Sequence, residues 1–184
     1  MAKIYTRRGD RGETGLFYGG RVPKDASGPE AYGTVDEAVS ALAVARAAAD
    51  DAVAEAILEV QRGLFVAAAE LATAPENHHR LEPGVSRVDD AMVAELEARI
   101  DALVERVGAP TEFVVPGGDP VGAALDVART VVRRAERRAV THEREAEIAD
   151  SRVVPYLNRL ADYLFMLARS TERTWTPTRE DPEE

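Results

Sequence analysis

The chain contains no cysteine, so disulfides, thiolate nucleophiles and cysteine-held metals have no part in its stability or chemistry. No apolar run approaches the length of a membrane span, and the N-terminal "MAKIYTRRGDRG" lacks the apolar stretch of a secretion signal. A cytoplasmic protein, with no membrane partner, is the expectation. Cations are in deficit: the formal net charge is −10, which disfavours non-specific binding to nucleic acid and would also suit a high-salt cytoplasm. There is no internal repeat and no coiled-coil heptad run. The sequence holds neither G-x-x-x-x-G-K-[ST] nor G-x-G-x-x-G, so it carries no P-loop and no dinucleotide fingerprint.

What is present is enough for one domain with a buried core: 184 residues, 45% hydrophobic and 30% charged. Three parts are expected: a glycine-rich segment over residues 1–28, a helical body over 29–174, and a disordered acidic tail over 175–184. The first 28 residues have no helical period and read as loop or short strands. Five helices follow. The spacing predicts them over 29–49, 52–74, 89–107, 120 to about 142, and about 153–173, with residues 74–88 as a polar loop containing His78 and His79, both expected in solvent. Asp50 or Asp51 is the expected cap of the second helix. Asp119 caps the fourth, with Pro120 at its first position. Five long helices with short connections define an all-α bundle.

The remaining cations are concentrated. Residues 1–28 hold six Lys or Arg against three Asp or Glu, and "ARTVVRRAERRAV" puts five arginines into the ten positions from Arg129 to Arg138. At 100° per residue, Ala128, Val132, Ala135 and Ala139 form one apolar strip. Arg129, Arg133 and Arg137 follow one flank of it, Arg134 and Arg138 the other, with Glu136 beside the strip. Like charges at i, i+4 cost a few tenths of a kcal/mol each, so something negative must offset them. Acidic side chains of neighbouring helices would do so, and so would a polyphosphate, for which the planar guanidinium fork is suited. Two flanks can serve two purposes. In "TRRGDRGETGLFYGG" the glycines permit close backbone approach to an anion, and Lys24 adds a donor nearby. Asn158 interrupts the apolar run "VVPYLNRLADYLFML", where its amide requires a partner, either across helices or on a ligand.

The stretches "KIYTRRGDRGETGLFYGGRVPKD", "EAYGTVDE", "FVVPGG", "ARTVVRRAERR" and "YLNRLADYLF" occur in the order and at about the spacing of the ATP:corrinoid adenosyltransferases of the propanediol-utilisation type. The resemblance runs from Lys3 to about Arg169. It implies a ferritin-like five-helix bundle assembled as a homotrimer, with the active site between subunits. The implied substrates are ATP with Mg²⁺ and reduced cobalamin; a reductase supplies the cobalt(I) form, and a cobalamin-dependent client enzyme is a further implied partner. Carried over by motif position, the ATP site comprises Thr6, Arg7, Arg8, Gly9, Thr14, Gly15, Lys24, Arg133, Arg134, Ala135, Glu136, Arg137 and Asn158. Arg129 resembles the arginine that pairs with an aspartate across the subunit boundary, here Asp36. Phe113 resembles the aromatic at the lower face of the corrin, and Arg133 is the first choice for the group that stabilises the departing triphosphate. The sequence departs from the family pattern at Ala38, Val39 and Ser40 and at Ser27, Gly28 and Pro29, which leaves a nucleotide- and cobalamin-binding delivery module without turnover as the alternative.

Overall fold

Alanine sets how closely the bundle closes. Helix α1 (Ser27–Ala48) turns Ala31, Val35, Ala38, Leu42 and Ala45 inward, and helix α4 (Pro120–Glu145) turns Ala128, Val132, Ala135 and Ala139 toward it, all fully buried. Small side chains on both surfaces bring the two helices together along most of their length, and this is the most extensive helix–helix contact of the fold. They run antiparallel, since Glu37 pairs with Arg134 and Glu30 with Arg138. The computed structural model describes residues 4–179. Helices α2 (Asp51–Leu71), α3 (Asp90–Val107) and α5 (Val153–Thr171) complete the five-helix bundle, with α5 packed against α4 and α3. The core is aliphatic, and Leu64, Leu125, Leu157, Leu160 and Leu164 are fully buried. No described helix is long and apolar enough to cross a membrane.

The caps explain the starts. Asp50 accepts from the Val53 amide, Asp89 from Met92, and Asp119 from Val121 and Gly122, with Pro120 at the first helical position of α4. The ends differ from expectation for identifiable reasons. Helix α2 stops at Leu71 rather than near 74 because the Phe17 amide takes the Ala72 carbonyl (2.8 Å). Helix α4 continues one turn beyond His142 because nothing there breaks it, and Ala146 still donates to the His142 carbonyl. Within the expected loop, Pro75–Arg80 form a 3₁₀ turn. In it His79 is exposed but His78 is half-buried, with its Nε2 3.1 Å from the Thr73 carbonyl, which corrects the expectation that both face solvent.

Two small antiparallel pairs flank the bundle. β1 (Glu13–Gly15) pairs with β2 (Arg21–Pro23), in register Glu13 with Pro23, so the glycine-rich segment is a hairpin. β3 (Val114–Val115) pairs with β4 (Thr176–Pro177). That pairing corrects the expectation of a tail disordered from residue 175: Trp175 donates its indole N–H to the Arg169 carbonyl (3.1 Å) and Thr176–Pro177 form a strand, while residues 180–184 lie outside the described residues.

Each departure from the family pattern includes a buried position, Ala38 in one and Gly28 in the other. Ala38 is a fully buried contact in the α1–α4 seam, and the Val39 carbonyl accepts from Gln61 (2.9 Å). Gly28 lies under the His142 ring, where a Cβ would come within 3.1 Å of Cε1, and Ser27 Oγ is 3.2 Å from His142 Nδ1. Burial is the main influence on His142 and pulls its pKa below the usual 6.5; His78 acts in the same direction, while Glu145 and the Leu71 backbone oppose it. The linkage has a definite sign. Below about pH 6.5 the unfolded imidazole takes a proton that the folded one resists, so this contribution to stability is lost as pH falls. Thermal melts should therefore show the His142→Asn variant losing less stability than the parent between pH 7 and pH 5.5.

Candidate functional site

The two cationic elements are built differently. In the hairpin, the TRRG stretch is held over β1 by Arg21, whose Nη2 donates to the Arg8 carbonyl (2.8 Å) and whose Nε reaches the Glu13 carboxylate (3.4 Å). Lys24 is tied by its backbone amide to the Gly12 carbonyl (2.8 Å). Gly9 lies beside the end of the Lys24 side chain, where a Cβ would come within 3.1 Å of Nζ. Arg7 adopts a left-handed conformation (φ 60°), and Thr6, Arg7 and Arg8 are all exposed. The structure thus brings Gly9 and Lys24 together on one side of the hairpin that also carries Thr14 and Gly15. The tip of the hairpin is fixed to the bundle, where Arg80 stacks on the Tyr18 ring at 4.2 Å and Phe17 bridges to Thr73.

On α4 the flanks diverge. Arg134 and Arg138 are occupied by Glu37 and Glu30, the ion-pair solution for their charge. Arg129 donates to Asp126 (2.9 Å) within the same helix. Arg133 and Arg137 are exposed, and among the described residues neither has a carboxylate within ion-pair distance. Ala135 is fully buried, its methyl inside the α1–α4 seam. Glu136 accepts from Asn158 Nδ2 (3.0 Å), and Asn158 Oδ1 accepts from Arg159 (2.8 Å), so the amide in the apolar run is satisfied across helices.

Other parts of the expected site stand apart. Phe113 is 86% exposed at the head of β3, an unusual position for phenylalanine. Pro120 follows it by seven positions, and α4 rises roughly 20 Å from there to Arg133. Asp36 is exposed on α1 and holds no partner among the described residues. No hydrogen bond or ion pair among the described residues joins Thr6–Lys24 to Arg133 or Arg137.

A buried charge cluster was not anticipated from the sequence. Arg169 on α5 has a fully buried side chain and donates to Asp126 (2.5 Å) and Glu172 (3.1 Å). Its signal was available: an acid in "GAALDVA" and a base in "LFMLARS" both fall among core residues of packed helices, with opposite sign.

A five-helix bundle with a structured glycine-rich hairpin, an exposed phenylalanine, and two guanidiniums (Arg133 and Arg137) without an acid among the described residues defines a helical protein with cationic surface free for an anion. Comparison supplies the family. A cobalamin adenosyltransferase family profile matches residues 4–171. The corrinoid adenosyltransferase of Citrobacter freundii is 41% identical over 175 residues, covering 95% of this chain and 97% of that protein. The Bacillus subtilis corrinoid adenosyltransferase is 39% identical, covering 91% and 85%. The solved structure of a PduO-type ATP:corrinoid adenosyltransferase variant from Lactobacillus reuteri, complexed with cobalamin and ATP, superposes with a TM-score of 0.85 at 32% identity, covering 97% of each chain. This chain belongs to the cobalamin adenosyltransferase family.

Proposed function

We propose that this protein transfers the 5′-deoxyadenosyl group of ATP to the cobalt of cob(I)alamin, releasing triphosphate and forming adenosylcobalamin. The observation that carries the reading is the split of the arginine helix: in a chain of net charge −10, Arg134 and Arg138 are neutralised by acids while Arg133 and Arg137 stand without one among the described residues. Those two guanidiniums are available to triphosphate. As cobalt(I) attacks the ribose C5′ and the C5′–O bond breaks, negative charge grows on the leaving oxygen. Fixed cations there stabilise the transition state more than the ground state. Arg133 takes that position. Thr6, Arg7, Arg8, Gly9, Thr14, Gly15 and Lys24 hold the rest of the nucleotide, with Glu136 and Asn158 at its edge. Magnesium arrives with the nucleotide, as MgATP. Phe113, exposed and apolar, meets the lower face of the corrin and excludes an axial ligand, easing formation of cobalt(I).

The site is completed by a second subunit. In a homotrimer the nucleotide lies between copies of the chain, held by the hairpin of one and the Arg133 flank of the next. There Asp36 of one copy meets Arg129 of the next. Asp36→Ala should shift the trimer toward smaller species in light scattering and slow turnover; an unchanged mass and rate would refute the pairing. A reductase must supply cobalt(I), an adenosylcobalamin-dependent enzyme consumes the product, and the reaction belongs in the cytoplasm with its ATP.

The deciding experiment is anaerobic incubation with MgATP and chemically reduced cobalamin. Appearance of the adenosylcobalamin spectrum with stoichiometric triphosphate supports transfer. Binding of ATP without triphosphate release would instead identify a delivery module.

A further inference from the structure

At the end of the bundle opposite the hairpin lies a cluster of charge that the chemistry above does not use. Arg169 is held between two acids: Nη2 donates to Asp126 Oδ2 (2.5 Å) and to Glu172 Oε1 (3.1 Å), and Nε lies 2.9 Å from Glu172 Oε2. All three side chains are at least 95% buried. Well-packed apolar residues in such a position often serve stability as well or better, so the cluster calls for a reason other than stability.

Its connections supply one. Asp126 uses its second oxygen to accept from Arg129 (2.9 Å), so the position of Arg129 is set through Arg169. Glu172 lies against the turn between β3 and α4: a Cβ on Gly118 would be 3.3 Å from its Cδ, and one on Gly122 would be 3.2 Å from its Oε1. One glycine of that turn and one in the first turn of α4 thus leave room for a carboxylate. The Arg169 carbonyl accepts from Trp175, and the segment beyond it pairs with β3, where the Thr178 amide donates to the Phe113 carbonyl (3.0 Å). The guanidinium thus reaches Arg129 through Asp126 and the turn after β3 through Glu172, while the Arg169 backbone anchors the segment that pairs beside Phe113.

We infer that Arg169 is a positioning residue which, with Asp126 and Glu172, fixes Arg129 and the Phe113 strand relative to one another, so that the subunit contact and the corrin face are set by a single buried cluster. The inference rests on the roles given above to Arg129 and Phe113. Its consequence is specific to one substrate: loosening the cluster disturbs cobalamin more than ATP, because the nucleotide residues lie on the hairpin and further along α4.

Glu172→Gln, close in shape to the residue it replaces against Gly118, and Arg169→Lys test it in the full chain, with Arg152→Ala at the other end of the bundle as control. Trp175 is the only tryptophan, so acrylamide quenching of its fluorescence reports directly on the docked segment. Both cluster variants should raise quenching about twofold and KM for cobalamin about tenfold, leaving KM for ATP within twofold, and the control should change neither. If Arg169→Lys does not fold, Glu172→Gln decides alone. Variants that melt at lower temperature yet keep parental quenching and cobalamin KM would overturn the inference and leave the cluster a stability element. A parent protein that makes no adenosylcobalamin would overturn the functional reading instead, and unchanged quenching would then still refute the docking part.

Discussion

Replacing Arg133 with alanine should lower kcat by about 10²–10³-fold while leaving the melting temperature within a few degrees of the parent. The first half follows from chemistry. Removing one preorganised donor from a developing anion costs about 2.7–4 kcal/mol in the transition state. Because triphosphate charge grows mainly as the C5′–O bond breaks, kcat and kcat/KM should fall together. The second half follows from the surroundings. Arg133 is exposed and, among the described residues, makes no ion pair, so truncation orphans no carboxylate. It also relieves like-charge contact with Arg129 and Arg137 at four-residue spacing, worth a few tenths of a kcal/mol. Arg133→Lys should recover only part of the rate, since an ammonium keeps the charge but loses the planar fork. Arg134→Ala supplies the contrast: that side chain is already committed to Glu37, and its loss should cost far less in turnover. A variant that melts much earlier while its folded fraction turns over normally would show that Arg133 serves the fold and not the reaction.

The contrast between these adjacent arginines marks the limit of what the sequence discloses. Helical spacing placed Arg133 and Arg134 on different flanks, but only the tertiary structure shows that α1 supplies Glu37 to one of them. Helices α2 to α5 were legible because each has an apolar stripe at helical spacing, and three have an aspartate cap that the local chain dictates, whereas alanine on every side leaves α1 little amphipathic contrast. Their ends were less so, since α2 is terminated by Phe17, more than fifty residues earlier in the chain. The pairing of Thr176–Pro177 with β3 was hidden for the same reason: two-residue strands have no period, and the tail's polar, proline-rich composition resembles disorder. Asn158 stood out as a polar residue in an apolar run, but only the structure shows Glu136 and Arg159 beside it. Asp36, proposed to meet a second subunit, leaves no mark on a single chain beyond its exposure.

The largest effect on stability is expected at Asp126, far from the exposed arginines. This carboxylate is 4% exposed and serves two guanidiniums at once, Arg129 through one oxygen and Arg169 through the other. Asp126→Ala would leave the buried Arg169 with Glu172 alone. Breaking a buried pair in this way costs about 3–5 kcal/mol, because the surviving guanidinium stays out of water with one of its two acids gone. For a chain of this size each kcal/mol moves the melting temperature by about 2–4 °C, so calorimetry should record a loss of roughly 10 °C. The exposed pair Arg138–Glu30 provides the scale: its side chains are about half exposed, and Glu30→Ala should cost no more than about 1 kcal/mol. A third variant separates stability from positioning. Converting the whole cluster to apolar residues, with Asp126→Leu, Arg169→Met and Glu172→Leu together, removes every buried charge and should regain much of the lost stability. It cannot regain the hydrogen bond that holds Arg129, nor the carboxylate seated on Gly118 and Gly122. A triple variant as stable as the parent but impaired for cobalamin would show that the ions are kept for where they hold their neighbours. One that is both stable and fully active would show that packing alone places them.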